Sequence, residues 1–211
     1  MSVHIGIDFD NTIAIYDKIF YRHAIALHAM PEDVYPDKPS IRAYYWGRPG
    51  GREDWIELQG IVYGTKMREA AVAPGFLDFA RWVASRNLEI SIISHKTEYP
   101  AGGPRVSLHE AAWEWLEGNG FFDGDGVGID RGAVFFESER DGKLARIFAR
   151  GCGVFIDDLP EIFAEPDFPS RVRAILYDPA DRHDPPAGGD KCASWTAIAE
   201  LVGALAEGEG R

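Results

Sequence analysis

Short apolar runs alternate with amphipathic segments along this 211-residue chain, and this alternation constrains the fold more than any other feature. Runs of β-branched and aromatic residues predict buried strands at 3–7, 88–93, 133–136, 154–156 and 172–177. Apolar residues spaced three and four apart predict helices at 15–30, 53–63, 76–85, 107–117, 141–150 and 194–206. Because strands that alternate with helices form parallel sheets covered on both faces, we expect an α/β fold with a Rossmann-like core.

Composition and charge exclude several classes of partner. The formal net charge of −12 argues against nucleic acid or an anionic membrane as a partner. No apolar run approaches the roughly 20 residues of a membrane helix, and the first residues lack the pattern of a signal peptide. The two cysteines, Cys152 and Cys192, do not have the spacing of metal ligands and are interpreted as reduced packing residues. A cytoplasmic location is therefore expected.

In four places along the chain, polar residues lie at the end of a predicted strand or in the first turn of a predicted helix. Asp8, Asp10 and Thr12 follow the first predicted strand, and Ser94 follows the second. Lys143 lies in the first turn of a predicted helix, and Asp157-Asp158 end the fourth strand. Singly, such an aspartate is often a turn former or a helix cap, and such a lysine is often solvated. Because parallel sheets bind ligands at the carboxyl ends of their strands, the four together predict one site.

The residue types at this predicted site favour phosphate chemistry with a divalent cation. Several carboxylates in one crevice repel one another unless a cation joins them, and oxygen ligands suit Mg²⁺. A lysine and a hydroxyl would supply positive charge and a hydrogen bond to a phosphoryl group. One aspartate could act as nucleophile, and a second carboxylate two residues later could act as general acid and base.

At these residues the chain resembles the haloacid dehalogenase-like superfamily. Asp8-Phe9-Asp10-Asn11-Thr12 resembles its first motif, DxDx(T/V), and Ser94 at the end of a hydrophobic strand resembles its second. Lys143 is similar to the third motif and Asp157-Asp158 to the fourth, in the same order and with similar spacing. The resemblance covers roughly residues 3–180, from the first predicted strand to beyond the fourth motif.

The resemblance implies a role for each motif residue. Asp8 would be the nucleophile and a metal ligand, and Asp10 would be the general acid and base, with its backbone carbonyl on the metal. Ser94 would hydrogen-bond the phosphoryl group, and Lys143 would neutralise Asp8 and phosphate. Asp157 would bind Mg²⁺ directly, with Asp158 behind it or bound through water. Thr12 would brace the loop and is included among the predicted substrate-binding residues. Asp10 favours phosphoryl hydrolysis or transfer, because dehalogenases of this superfamily lack the second aspartate.

The resemblance also implies an inserted cap that contributes to specificity. Residues 15–72 form the predicted small helical cap, and 1–14 with 73–211 form the predicted core. Residues 13–72 contain eight Lys/Arg and eight Asp/Glu, so this stretch is neutral within an acidic chain. Arg48 and Arg52 flank a glycine pair and, together with His95 and Lys96, are predicted substrate-binding residues, with plain surface positions as the alternative.

Three functions remain open from the sequence. The leading prediction is a phosphomonoesterase acting on a small phosphorylated metabolite. A 5′-nucleotidase-like activity on nucleoside monophosphates is the nearest alternative. A phosphorylation-switched signalling module is a different class, and it is disfavoured because there the acidic pair comes first and the phosphorylated aspartate later. The sequence leaves the oligomeric state open.

Overall fold

The computed structural model of the protein describes residues 3–124 and 127–208. Its strands are β1 (His4–Ile7), β2 (Ala14–Ile15), β3 (Ala71–Val72), β4 (Glu89–His95), β5 (Val134–Glu137), β6 (Val154–Asp157), β7 (Arg173–Tyr177) and β8 (Asp190–Cys192). Its α-helices are α1 (Asp17–His28), α2 (Lys38–Trp46), α3 (Gly51–Tyr63), α4 (Phe76–Ser85), α5 (Leu108–Gly118), α6 (Arg140–Ala149), α7 (Pro160–Phe163) and α8 (Trp195–Gly208). Met67–Glu69 and Arg131–Ala133 form short 3₁₀ helices.

Six strands form one parallel sheet in the order β5-β4-β1-β6-β7-β8, and β2 pairs with β3. The parallel sheet confirms the predicted α/β fold, and all five predicted strands are present within one or two residues of their expected ends. Among the strands and α-helices, five were not predicted: β2, β3, β8, α2 and α7. Helix α2 begins at an Asp37 cap with Pro39 in its first turn, and β8 is a short edge strand of mixed polarity.

The chain divides into two compact units. The first comprises Met1–Ala14, Val72–His95 and Gly120–Arg211, and the second comprises Ile15–Ala71 and Lys96–Asn119. The second unit therefore includes 96–119 in addition to the predicted insertion. Within it, the indole of Trp115 on α5 donates a hydrogen bond to the carbonyl of Ala70 at 2.9 Å. The function of 15–72 as a cap stays a prediction.

The interior of the first unit has an aliphatic part beside α6 and an aromatic part beside α4 and α8. Beside β4 and β6, side chains from two strands, two helices and two loops pack together: Ile93, Leu144, Ile147, Cys152, Phe155, Ile162 and Val172. On the other helices, the rings of Phe76, Phe79 and Trp195 pack against one another at centroid distances of 4.9 to 6.4 Å. Both cysteines are buried and free, as expected for reduced packing residues.

Within the described residues, none of the helices combines the length and the apolarity that a bilayer crossing requires.

In the second unit, helix α3 packs very closely on the loop after Pro100. A Cβ atom at Gly60 would lie 2.0 Å from the carbonyl oxygen of Gly102, so only glycine fits at this position.

Gly6, in the middle of β1, leaves room for its neighbours in the sheet core. A Cβ atom there would lie 2.6 Å from the ring of Phe155 and 2.8 Å from the sulfur of Cys152. We expect Gly6→Ala to lower the free energy of unfolding by about 1–3 kcal/mol, because the core must shift to accept the methyl group. Urea unfolding followed by circular dichroism measures this change.

Gly118→Ala is the matched control for that substitution. Gly118 ends α5, and a Cβ atom there would meet no other atom within 4 Å. This variant should be neutral or slightly stabilising, because alanine favours the helix more than glycine does. Equal unfolding free energies for wild type and Gly6→Ala would show that β1 accepts a side chain at this position.

Candidate active site

The loop after β1 places Asp8 beside β6. The backbone N–H of Asp8 donates to the carbonyl of Ile156 at 2.8 Å and so extends the parallel pairing by one residue. The chain then turns tightly, because the N–H groups of Ile13 and Ala14 both donate to the carbonyl of Phe9. Asn11 has a φ of 61°, a left-handed conformation that asparagine tolerates better than most residues. The local sequence thus suits the turn that holds this loop.

The ammonium group of Lys143 joins two aspartates from different strands. Its Nζ atom lies 2.6 Å from Oδ1 of Asp8 and 2.6 Å from Oδ2 of Asp157. All three side chains are buried, with exposed fractions of 8% or less. Residues 135 positions apart in sequence therefore share one contact, and the structure brings together the three charged groups that the sequence placed in one site.

The strand period explains why these groups meet. Gly6 is paired with Phe155, and side chains two residues apart point to the same side of a sheet. Asp8 and Asp157 therefore follow Gly6 and Phe155 on the side occupied by α6. The Nζ atom of Lys143, in the first turn of α6, also lies 5.3 Å from the ring centre of Phe155.

Burial and charge act on this group in opposite directions. Burial raises the pKa of Asp8 to about 6, with further upward contributions from the charges of Asp157 and Asp10 and an opposing one from Lys143. Burial pushes the pKa of Lys143 down, but the charges of Asp157 and Asp8 outweigh it and leave this pKa above its ordinary value. Lys143 is therefore a fixed cation beside the predicted nucleophile.

Asp158 and Asp157 are each held by a specific bond. Thr12 is fully buried, and its hydroxyl donates to Oδ1 of Asp158 at 3.3 Å and accepts the N–H of Asp158 at 3.1 Å. The N–H of Leu159 donates to Oδ1 of Asp157 at 2.9 Å. Thr12 thus braces Asp158, whereas its predicted contact with substrate stays a prediction.

Ser94 is a predicted site residue with a buried hydroxyl. It lies next to the end of β4, is 1% exposed, and its Oγ atom has no hydrogen-bond partner. A buried hydroxyl without a partner costs about 1–3 kcal/mol. His95, the next residue, is exposed, and its Nε2 lies 3.1 Å from the carbonyl oxygen of Ser138.

The other predicted substrate-binding residues belong to the second unit and have partners there. Lys96 is 4% exposed, and its Nζ lies 5.1 Å from the ring centre of Tyr63. Arg48 forms an ion pair with Asp54 and stacks on aromatic rings of α2. Arg52 is exposed, with its guanidinium 5.7 Å from the ring centre of Trp46. Their contacts with substrate, like that of His95, stay predictions.

The carboxylates of the first unit fit a divalent cation. Oxygen atoms of Asp8, Asp157 and Asp158 lie within 4.8 Å of one another. These three carboxylates and the ammonium of Lys143 sum to a charge of −2 when all are ionised, so one divalent ion would balance them. An all-oxygen donor set is the kind that Mg²⁺ prefers. The residues present therefore fit the ion that the sequence pattern implies.

Two residues near this edge of the sheet were not singled out from the sequence. Asp178 follows β7 and is buried, but its Oδ2 accepts the N–H groups of Arg182 and His183, so it holds a loop. The ring of Phe155 packs against the ammonium of Lys143. In the sequence, Phe155 is one of several apolar residues of a buried strand, so nothing marks it as part of a site.

Comparisons with known proteins give a structural match alone. No family model matches the chain, and none of the curated proteins matches it. Solved structures do match, over nearly the full length of this chain and of the matched chains.

Three of these structures show the range of the match. The HAD-hydrolase YfnB from Bacillus subtilis, bound to magnesium, has a TM-score of 0.60 at 10% identity, covering 95% of this chain and 98% of that one. A HAD family hydrolase from Deinococcus radiodurans R1, with bound phosphate and sodium, has a TM-score of 0.59 at 14% identity, covering 97% and 95%. A dehalogenase has a TM-score of 0.53 at 8% identity, covering 95% and 96%. The chain therefore has the fold of the haloacid dehalogenase-like hydrolases.

Proposed function

We propose that this protein is a magnesium-dependent phosphomonoesterase that hydrolyses a small phosphorylated metabolite through an aspartyl phosphate on Asp8. The observation that carries the proposal is the position of the Lys143 ammonium, 2.6 Å from a carboxylate oxygen of both Asp8 and Asp157. This cation offsets the negative charge of Asp8, and an anionic phosphate could not otherwise approach a carboxylate without strong repulsion.

In the first chemical step, a carboxylate oxygen of Asp8 attacks phosphorus and the bond from phosphorus to the ester oxygen breaks. Asp10 gives its proton to the departing alkoxide, which leaves as an alcohol. In the second step, Asp10 removes a proton from water, which attacks the phosphorus of the aspartyl phosphate. The bond from phosphorus to the Asp8 oxygen then breaks, releasing inorganic phosphate and restoring the carboxylate.

Ser94 and Lys143 hold the phosphoryl group during both steps. The unpartnered hydroxyl of Ser94 is available to donate a hydrogen bond to a phosphoryl oxygen. Lys143 supplies a buried positive charge that does not have to reorganise as charge develops in the transition state. Together they supply directed polar groups at a place from which water is largely excluded.

Asp8, Asp157 and Asp158 would hold Mg²⁺, with the backbone carbonyl of Asp10 as a further ligand. The bound ion supplies positive charge that balances the carboxylates and the phosphate. Matching structures that contain magnesium or phosphate support this assignment. Asp10 supports phosphate ester hydrolysis over dehalogenation, a choice that the fold leaves open because a dehalogenase shares it.

Replacing the nucleophile tests the central step. We expect Asp8→Asn to lower turnover of phosphate esters by on the order of 10⁴-fold or more, because the amide cannot form the covalent intermediate. Acid quenching of the enzyme with ³²P-labelled acetyl phosphate should trap label on wild type and none on the variant. Label that remains on Asp8→Asn, with unchanged turnover, would exclude Asp8 as the nucleophile.

Replacing Asp10 tests proton transfer to the leaving group. We expect Asp10→Asn to slow hydrolysis of alkyl phosphates by about 10²–10⁴-fold, and that of nitrophenyl phosphate much less, because nitrophenolate leaves without a proton. Steady-state rates with a panel of alkyl, sugar, nucleoside and nitrophenyl phosphates measure this difference and also rank the substrate classes. An equal loss with every ester would contradict the acid role.

Ser94→Ala separates a role in catalysis from a role in folding. The hydroxyl has no partner to lose, so the free energy of unfolding should stay the same or rise slightly. Turnover should fall by about 10²–10³-fold, because one hydrogen bond to the transition state is lost. Unfolding curves of wild type and Ser94→Ala test the stability prediction, and kcat values of the same two proteins test the turnover prediction. A destabilised variant with normal kcat would show that the hydroxyl serves the fold.

A further inference from the structure

A second group of potential metal ligands lies in the second unit, apart from the residues assigned above. His28, Asp54 and Glu57 each offer one ligand atom, and these atoms lie within 4.8 Å of one another. His28 is the last residue of α1, while Asp54 and Glu57 lie one turn apart on α3. Residues three apart share a helix face, so the two carboxylates lie on one side of α3.

The imidazole of His28 is held by a buried tyrosine. Its Nδ1 lies 2.7 Å from the hydroxyl of Tyr45, and the two rings meet edge to face with centroids 5.4 Å apart. With Nδ1 engaged, the other nitrogen, Nε2, lies on the side of Glu57. Metal-binding histidines commonly have this arrangement, in which a second residue fixes the ring and its tautomer.

The spacing of the ligand atoms suits an ion better than direct hydrogen bonds. Nε2 of His28 lies 3.7 Å from Oε2 of Glu57, beyond the usual limit of a hydrogen bond. Two ligands of one tetrahedral ion, each at about 2.1 Å from it, stand about 3.4 Å apart. The observed separation is thus close to that of two ligands on a shared ion.

Arg48 competes with a cation at this place and so limits its affinity. It pairs with Oδ2 of Asp54, and its guanidinium lies 4.9 Å from the ring centre of Tyr45. A carboxylate has two oxygens, so Asp54 can pair with Arg48 through Oδ2 and offer Oδ1 to an ion. With Asp54, Glu57 and Arg48 ionised, the net charge is −1 before a metal binds.

We propose that His28, Asp54 and Glu57 bind one divalent transition-metal ion, Zn²⁺ or a similar ion, and so tie the end of α1 to α3. One imidazole nitrogen with two carboxylates suits Zn²⁺, Co²⁺ or Mn²⁺, whereas Mg²⁺ prefers oxygen ligands alone. The proposal does not depend on the phosphatase assignment, because it concerns different residues in the other unit.

The number of bound ions tests the proposal. Metal-free protein is dialysed against Zn²⁺, and bound metal is counted for wild type, His28→Gln and Glu57→Gln. Wild type should bind one equivalent more than either variant, whatever the carboxylates of the first unit bind. Co²⁺ titration should show a visible absorption band in wild type that both variants lose. Tyr45→Phe should weaken binding by about 10–100-fold, because the imidazole is no longer fixed.

Glu53→Gln is the matched control, because Glu53 is an exposed carboxylate of α3 outside the cluster. It should bind as many ions as wild type and show the same Co²⁺ band. Glu57 is itself exposed, so Glu57→Gln keeps the test valid if His28→Gln fails to fold. The same Zn²⁺ count in wild type, His28→Gln and Glu57→Gln would overturn the proposal and identify the cluster as an ion-pair network.

Discussion

The central interaction of the first unit is the pairing of the buried ammonium of Lys143 with two buried aspartates, Asp8 and Asp157. Each of these charges would be costly to remove from water alone, and it is tolerated because its partners lie at hydrogen-bond distance. The contact forms because β1 and β6 are paired in the register that places Asp8 beside Asp157, and because α6 brings Lys143 to the same point. Gly6 makes this register possible, because a larger residue there would displace Phe155 from beneath Lys143.

Much of the fold and the charged centre of the site could be predicted from the sequence. Parallel strands bring their carboxyl ends to one edge, so polar residues that follow separate apolar runs were expected to meet, and Asp8 and Asp157 do. Helix α2 was not predicted, because residues 31–51 are rich in proline, glycine and aromatic residues and show no clear helical period. Pro39 in fact stands in the first turn, where its missing N–H does no harm, behind the side-chain cap of Asp37.

Other features could not be predicted, because they depend on tertiary contacts. Strand β8 has little apolar character and is held at the edge of the sheet partly by the ion pair of Arg173 with Asp190. Sequence also does not tell a cation that is available to substrate from one that is already paired, as Arg48 is with Asp54. The group formed by His28, Asp54 and Glu57 comes from two helices, and in sequence it is marked only by a pair of carboxylates three residues apart.

The placement of the two sulfur atoms has a consequence for redox chemistry. Cys152 is packed among aliphatic and aromatic side chains, and burial raises the pKa of its thiol to about 11. Burial also raises the pKa of Cys192. Oxidants and alkylating agents react with thiolates, which are scarce at neutral pH for thiols of this kind. Neither of the two cysteines therefore offers the reactive thiolate that peroxide or disulfide stress attacks in enzymes with an exposed cysteine nucleophile.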